Sequence, residues 1–268
     1  MKKNSLFVAI VMIGALVAAI LIYTIILGYP SNFKDAAKHQ PINILGTVHT
    51  GGVIVPILIT MSIMVFAFII ERFLSLSKAK GKRDLHQFMM GVDKHLESGN
   101  IDAAIDSCNQ QRGTVANIIR AGLERFKDVR NDGTLDNPRK LAEVNKTIEE
   151  AMMLETPLLE RNLVGLSTIA STATMVGLLG TTIGMITAFM ALGQNQGAAS
   201  ATQLSQGIAE ALINTALGIF AAIVAIIFYN FFTNKVDAYV YVIDEAKLNL
   251  VETLNNRYLG AGNNNTRS

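Results

Sequence analysis

Glu210 stands near the start of Ile208 to Phe232, a run that holds no other charged side chain. Asn214 and Thr215 follow it four and five residues later. On a helix, Gln203, Gly207, Glu210 and Asn214 form a polar stripe, and Ala211, Thr215, Gly218, Ala222 and Ala225 form a stripe of small residues beside it. The preceding apolar run repeats the theme: Ser167, Thr174, Thr181 and Ala188 recur every seven residues, with Ser171 between them. Gly177, Gly180 and Gly184 lie close by, the last two at the G-x-x-x-G spacing that lets helix backbones approach. A hydroxyl both accepts and donates, and a carboxylate can take up a proton. Two small, hydroxyl-bearing faces without lysine or arginine therefore fit a narrow pathway for a proton or small cation better than an anion site. Simpler readings compete: hydroxyls in membrane helices bond their own i−4 carbonyls and can mark a mere packing seam, and a glutamate in the first turns of a span can snorkel to water.

Other chemistries lack their residues. No G-x-x-x-x-G-K-[ST] or H-E-x-x-H motif occurs. His39, His49, His86 and His95 are scattered, and the single cysteine, Cys108, has no partner for a disulfide or a metal pair. The serines and threonines of the third apolar run have no histidine or lysine within the membrane to activate them. The chain is read as a non-enzyme with no cofactor and no metal.

Positioning such stripes is the work of long helices. Half of the 268 residues are hydrophobic, and four runs reach the roughly 20 residues that cross a bilayer: Leu6 to Leu27, Gly52 to Ile70, Leu163 to Leu192 and Ile208 to Phe232. The first follows Lys2 and Lys3 but is longer than a signal-peptide core and has no A-x-A site, so an uncleaved helix is expected. Arg72, Lys78, Lys80, Lys82 and Arg83 crowd the end of the second run, whereas Gly193 to Thr202 carries no charge. The positive-inside rule places the cluster and both termini in the cytoplasm, a cause that displaces a nucleic-acid patch.

The expected fold class is all-α, a polytopic inner-membrane protein with a helical cytoplasmic domain and long helices extending out of the membrane. Its segments are an N-terminal transmembrane helix (1–28), a periplasmic loop (29–51), a second span (52–71), a cytoplasmic domain (72–161), a third span (162–193), a periplasmic turn (194–202), a fourth span (203–233) and a cytoplasmic tail (234–268). In the cytoplasmic domain, Leu85, Phe88, Met89, Val92 and Leu96 keep helical spacing, as do Ile118, Ile119, Gly122, Leu123 and Phe126. Asn100 reads as an N-cap after Gly99, and "RNDGTLDNPRK" from Arg130 reads as a loop. From Arg139 the helical pattern runs past Pro157 toward the third span, so one long helix is expected there.

Three stretches resemble the ExbB/TolQ/MotA proton-channel family, its ExbB branch most closely: "GLLGTTIGMITAF" from Gly177, "GIAEALINTALGIFAAIVAIIFYN" from Gly207 and "ERFLSL" from Glu71. The likeness covers roughly Val53 to Asp237; the first span lies outside it. Thr174, Thr182 and Val224 depart from the family's proline, valine and proline, while Thr181, Glu210 and Thr215 keep its pattern. The resemblance implies a homo-oligomer, a pentamer, whose last two helices line a pore. That pore would hold the helices of a single-span ExbD/TolR/MotB-like partner bearing the proton-carrying aspartate, with Thr181 and Thr215 facing it and Glu210 at the pore. In the ExbB branch, energy passes through a TonB-like protein to outer-membrane receptors. Rival readings are a TolQ-like subunit for envelope integrity, a gliding or flagellar stator subunit and, more remotely, a self-sufficient secondary transporter, for which no inverted repeat is visible.

Overall fold

The computed structural model describes residues 2–35, 40–194 and 198–259. They form helices α1 (Lys2–Leu21), α2 (Ile44–His49), α3 (Ile54–Lys80), α4 (Leu85–Glu97), α5 (Ile101–Gln111), α6 (Thr114–Arg130), α7 (Asn137–Glu160), α8 (Leu163–Gln194) and α9 (Ala198–Leu254). α1 runs on into a π-helical segment, Ile22–Leu27. No strand occurs among the described residues, whose one β-contact is an isolated antiparallel bridge between Phe33 and Pro41. The protein is all-α, and four of its helices are long and apolar enough to cross a membrane. With 57 residues, α9 is about 85 Å long at about 1.5 Å per residue. That is far more than a hydrocarbon core of about 30 Å requires.

The chain divides into two compact units, Met1–Glu71 with Asn162–Phe231, and Arg72–Arg161 with Phe232–Ser268. The first holds the apolar helices. Large side chains such as Ile13, Leu178, Phe189, Leu212 and Ile227 stand exposed on them, as lipid or a second copy of the chain would require. Between α8 and α9 both helices extend into the stretch expected as a turn. α8 reaches Gln194 and α9 begins at Ala198, so the rest of that turn lies outside the described residues.

Helix ends in the second unit follow local chemistry. Asn100 caps α5, its side chain accepting from the Ala103 N–H at 3.0 Å, and Asp136 caps α7 by accepting from Arg139 N–H at 3.1 Å. Phe88, Val92 and Leu96 of α4 and Ile118, Ile119, Leu123 and Phe126 of α6 are buried at the expected spacing. Gly122 lets α6 lie against Ile148 and Leu250, since a Cβ there would stand 2.7 Å from Ile148 Cγ1.

One sequence-based expectation needs correction. The helix through Pro157 does not continue into the third span: α7 ends at Glu160, and Asn162 turns the chain with φ +62° before α8 starts. Proline is tolerated inside the last turns of α7, whereas the residue that breaks the run is an asparagine, which accepts left-handed backbone better than most residues. Its Nδ2 donates to Glu71 Oε2 at 3.0 Å and ties the turn to α3. Arg72, unlike the rest of the basic cluster, is fully buried, and its Nη1 donates to the Leu159 carbonyl at 3.0 Å. Lys78, Lys82 and Arg83 remain exposed.

Candidate functional site

Small residues let α8 and α9 meet closely along their length. Ala173, Gly177, Gly180, Gly184 and Ala188 of α8 are buried, as are Gly207, Ala211, Asn214, Gly218, Ala221 and Ala225 of α9. The α9 set alternates steps of four and three residues, the 3.5-residue repeat of a left-handed helix pair. Each glycine is required by space. A Cβ on Gly218 would lie 2.6 Å from the Ala173 carbonyl oxygen, one on Gly184 would lie 2.8 Å from the Gly207 carbonyl oxygen, and one on Gly177 would lie 3.0 Å from the Asn214 carbonyl oxygen. Contacts this close bring the polar side chains of one helix within reach of the other.

Thr181 and Thr215 meet across this seam, and their hydroxyls share a hydrogen bond. The Thr181 hydroxyl is also 3.3 Å from the Gly177 carbonyl oxygen and 3.4 Å from that of Ala211, and the Thr215 hydroxyl is 3.5 Å from the Gly177 carbonyl oxygen. Two rotatable hydroxyls with carbonyl acceptors on both helices can exchange donor and acceptor roles without moving their backbones. Both residues are half-buried, so one side of the pair opens away from the seam. Thr174, two turns before Thr181 on α8, is half-buried and makes no hydrogen bond with the pair.

Asn214 and Glu210 lie toward the other end of the seam and have different surroundings. Asn214 is fully enclosed, with Nδ2 donating to the Gly51 carbonyl at 2.9 Å. A Cβ on Gly180 would stand 2.5 Å from Asn214 Cβ, so the amide fills a slot that only glycine leaves open. Its Oδ1 has no hydrogen-bond partner and sits against Gly51, 3.1 Å from where a Cβ would be. Glu210, one turn earlier, is half-buried and seats Oε1 against Gly52, 2.6 Å from the position of a Cβ. Gly52 has φ +72°, so backbone conformation and the carboxylate both favour glycine here. Sequence reasoning singled out the α8 and α9 residues but missed this Gly51–Gly52 turn; its signal was the glycine pair at the head of the second span.

No group of three or more His, Cys, Asp or Glu side chains suited to a metal occurs among the described residues. The site therefore consists of hydroxyls, one amide, one carboxylate and backbone carbonyls in apolar surroundings, where each hydrogen bond gains electrostatic strength.

Comparison with known proteins places the chain in a family. Residues 110–245 match the family described as the MotA/TolQ/ExbB proton channel family. The chain is 34% identical over 182 residues to the Tol-Pal system protein TolQ of Pseudomonas aeruginosa, covering 66% of this chain and 76% of that protein. It is 30% identical over 200 residues to a biopolymer transport protein ExbB homolog of Methanothermobacter thermautotrophicus, covering 73% of this chain and 66% of that one. With the biopolymer transport protein ExbB of Pseudomonas putida it shares 41% identity over 81 residues, 30% of this chain and 24% of that one. An all-α chain with four apolar helices, whose α8 and most of α9 fall within the matched residues, belongs to the MotA/TolQ/ExbB proton channel family.

Proposed function

We propose that this chain is the proton-channel scaffold subunit of an energy-transducing motor in the bacterial inner membrane, of ExbB type, with both termini in the cytoplasm. The observation that carries the reading is the Thr181–Thr215 hydroxyl pair, held across a glycine-lined seam with Glu210 along the same helix. Neither Asn162–Gly193 nor Ile208–Phe232 contains an Asp, Lys or Arg, and Glu210 is their one charged residue. The chain offers a lining for protons, and the carrier that shuttles them belongs to a second protein. That partner is a single-span, ExbD- or TolR-like subunit whose helix carries an aspartate opposite the threonines.

The exposed apolar residues of α8 and α9, such as Leu178, Phe189, Leu212 and Phe220, support a homo-oligomer, with a pentamer as the family's arrangement. A proton falling through about 150 mV releases roughly 3.5 kcal/mol, at about 2.3 kcal/mol per 100 mV. In the ExbB reading this energy passes to a TonB-like protein and drives uptake at the outer membrane. The P. aeruginosa TolQ likeness, which spans two thirds of this chain, favours a second reading in which the motor maintains the cell envelope. Complementation separates the two. In strains lacking ExbB or TolQ, the chain supplied with its own partner should restore siderophore uptake rather than detergent resistance; the reverse result assigns it to the TolQ branch.

A further inference from the structure

The second unit holds a cleft of about 360 Å³ between α4 and the C-terminal part of α9. One face of each helix forms its walls. On α4, His86, Met89, Met90 and Asp93 line it at i, i+3, i+4 and i+7. On α9, Glu245 and Asn249 stand one turn apart. The cleft is acidic: Asp84, Asp93 and Glu245 line it, and no lysine or arginine joins them among the described residues. Carboxylates alone would mark a solvated surface, and three further features set this place apart. Its volume falls in the range of small-molecule sites, about 300–1,000 Å³. Asp93 is half-buried, and its Oδ1 is shut off from solvent with no hydrogen-bond partner, a cost that a bound donor would remove. The third feature is the methionine pair, whose flexible thioether chains mould to an apolar body; Met90 stands exposed at the rim.

We propose that this cleft binds a small aliphatic amine with two or more positive charges, Asp93 and Glu245 each taking one ammonium group and the methionines covering the methylenes between. Asp84 has other work. Its Oδ2 accepts from the His86 N–H at 3.2 Å and caps α4, whose N-terminal dipole favours the negative charge it already has. Asp93 and Glu245 are the carboxylates left to a ligand. Burial, together with the Glu97 charge beside it, pushes the Asp93 carboxyl up from its ordinary value. An ammonium group opposes both causes and supplies the donor that Oδ1 lacks. An inorganic cation would meet the carboxylates but leave the methionine wall uncovered, so the apolar body of the ligand sets the selectivity. The site lies away from the threonine seam, and the inference does not depend on the proton pathway.

The test is titration calorimetry of the full chain in detergent with spermidine as the probe. Saturable binding at one site per chain is expected. Asp93→Asn and Glu245→Gln, which keep side-chain volume, should each weaken it at least about tenfold, as loss of one charge-assisted hydrogen bond would. Asp128→Asn, which removes an exposed carboxylate on α6 of the same unit, should leave the affinity unchanged. Butylamine, with a similar apolar body and a single charge, should bind at least about tenfold more weakly than spermidine. Equimolar Mg²⁺ should fail to displace spermidine. If Asp93→Asn fails to fold, Glu245→Gln, on the exposed α9 wall, decides alone. The proposal is overturned by the absence of saturable binding, by unchanged affinity in the folded Asp93 and Glu245 variants, or by displacement with equimolar Mg²⁺, which would reduce the cleft to a patch of negative charge.

Discussion

The hydroxyls of Thr181 on α8 and Thr215 on α9 share a hydrogen bond across a seam whose small residues bring the two backbones together. Thr181→Val and Thr215→Val keep volume and delete one hydroxyl each. Assembly should survive, because the glycines set the helix spacing. Energised siderophore uptake should fall by about tenfold or more, as loss of about 1.4 kcal/mol in the pathway would produce. Thr181→Ser, which retains the oxygen, should recover most of the rate. Normal uptake in both valine variants removes the hydroxyl pair from the pathway.

Enlarging the seam tests the packing separately. Gly218→Val places a Cβ 2.6 Å from the Ala173 carbonyl oxygen and 2.9 Å from Gly177 Cα, both backbone atoms that yield only if a helix moves. A loss of about 1–3 kcal/mol in stability is expected, read as a lower Tm of the detergent-solubilised protein. Gly14, which has open space where a Cβ would go, is the control: Gly14→Ala should leave the Tm unchanged or slightly higher.

Asn214→Leu removes a buried amide whose Nδ2 donates to the Gly51 carbonyl and leaves that carbonyl without this donor. The cost is about 1–3 kcal/mol. Hydrogen exchange should report it as faster exchange at the head of α3, around Val55, rather than throughout the bundle. Uniform exchange rates along α3 would show that Asn214 does not fasten this turn.

Cys108 is buried in the second unit, and burial pushes its thiol from an ordinary value of 9.0 up to about 12. The folded protein should therefore resist thiol reagents at pH 8 and react on unfolding. The linkage has a definite sign: the unfolded thiol ionises near pH 9.0 and the folded one near pH 12. The stability this neutral thiol confers is complete below pH 9.0 and is lost as pH rises toward 12. Chemical denaturation should show a steeper alkaline loss of stability for the native chain than for Cys108→Ala; parallel curves would contradict it.

Much of the fold was legible because its signals are local. Long uncharged runs gave the apolar helices, period-matched residues such as Phe88, Val92 and Leu96 gave the buried face of α4, and Asn100 capped the helix its side chain predicts. The stripes on α8 and α9 were readable for the same reason, since a small-residue face can be counted along one helix. Long-range partners were not readable. The burial of Arg72 depends on a carbonyl 87 residues away, and the enclosure of Asn214 depends on Gly51, 163 residues away. The break at Arg161–Asn162 escaped because helical periodicity runs through it, and Pro157, the obvious breaker, is accommodated inside α7. The stacking of Tyr23 on His49 was not readable either, because the two residues lie 26 apart in the chain.

The most direct measurement is proton flux into liposomes under an imposed membrane potential, followed by a lumenal pH dye. The purified chain is compared alone, with its single-span partner, and with the partner in a Thr181→Val, Thr215→Val form. Flux is predicted with chain and partner together, to be near background for the chain alone, and to be lost again in the double variant. Proton flux by the chain alone, or undiminished flux in the double variant, would contradict a scaffold whose threonine pair lines a pathway completed by a second protein.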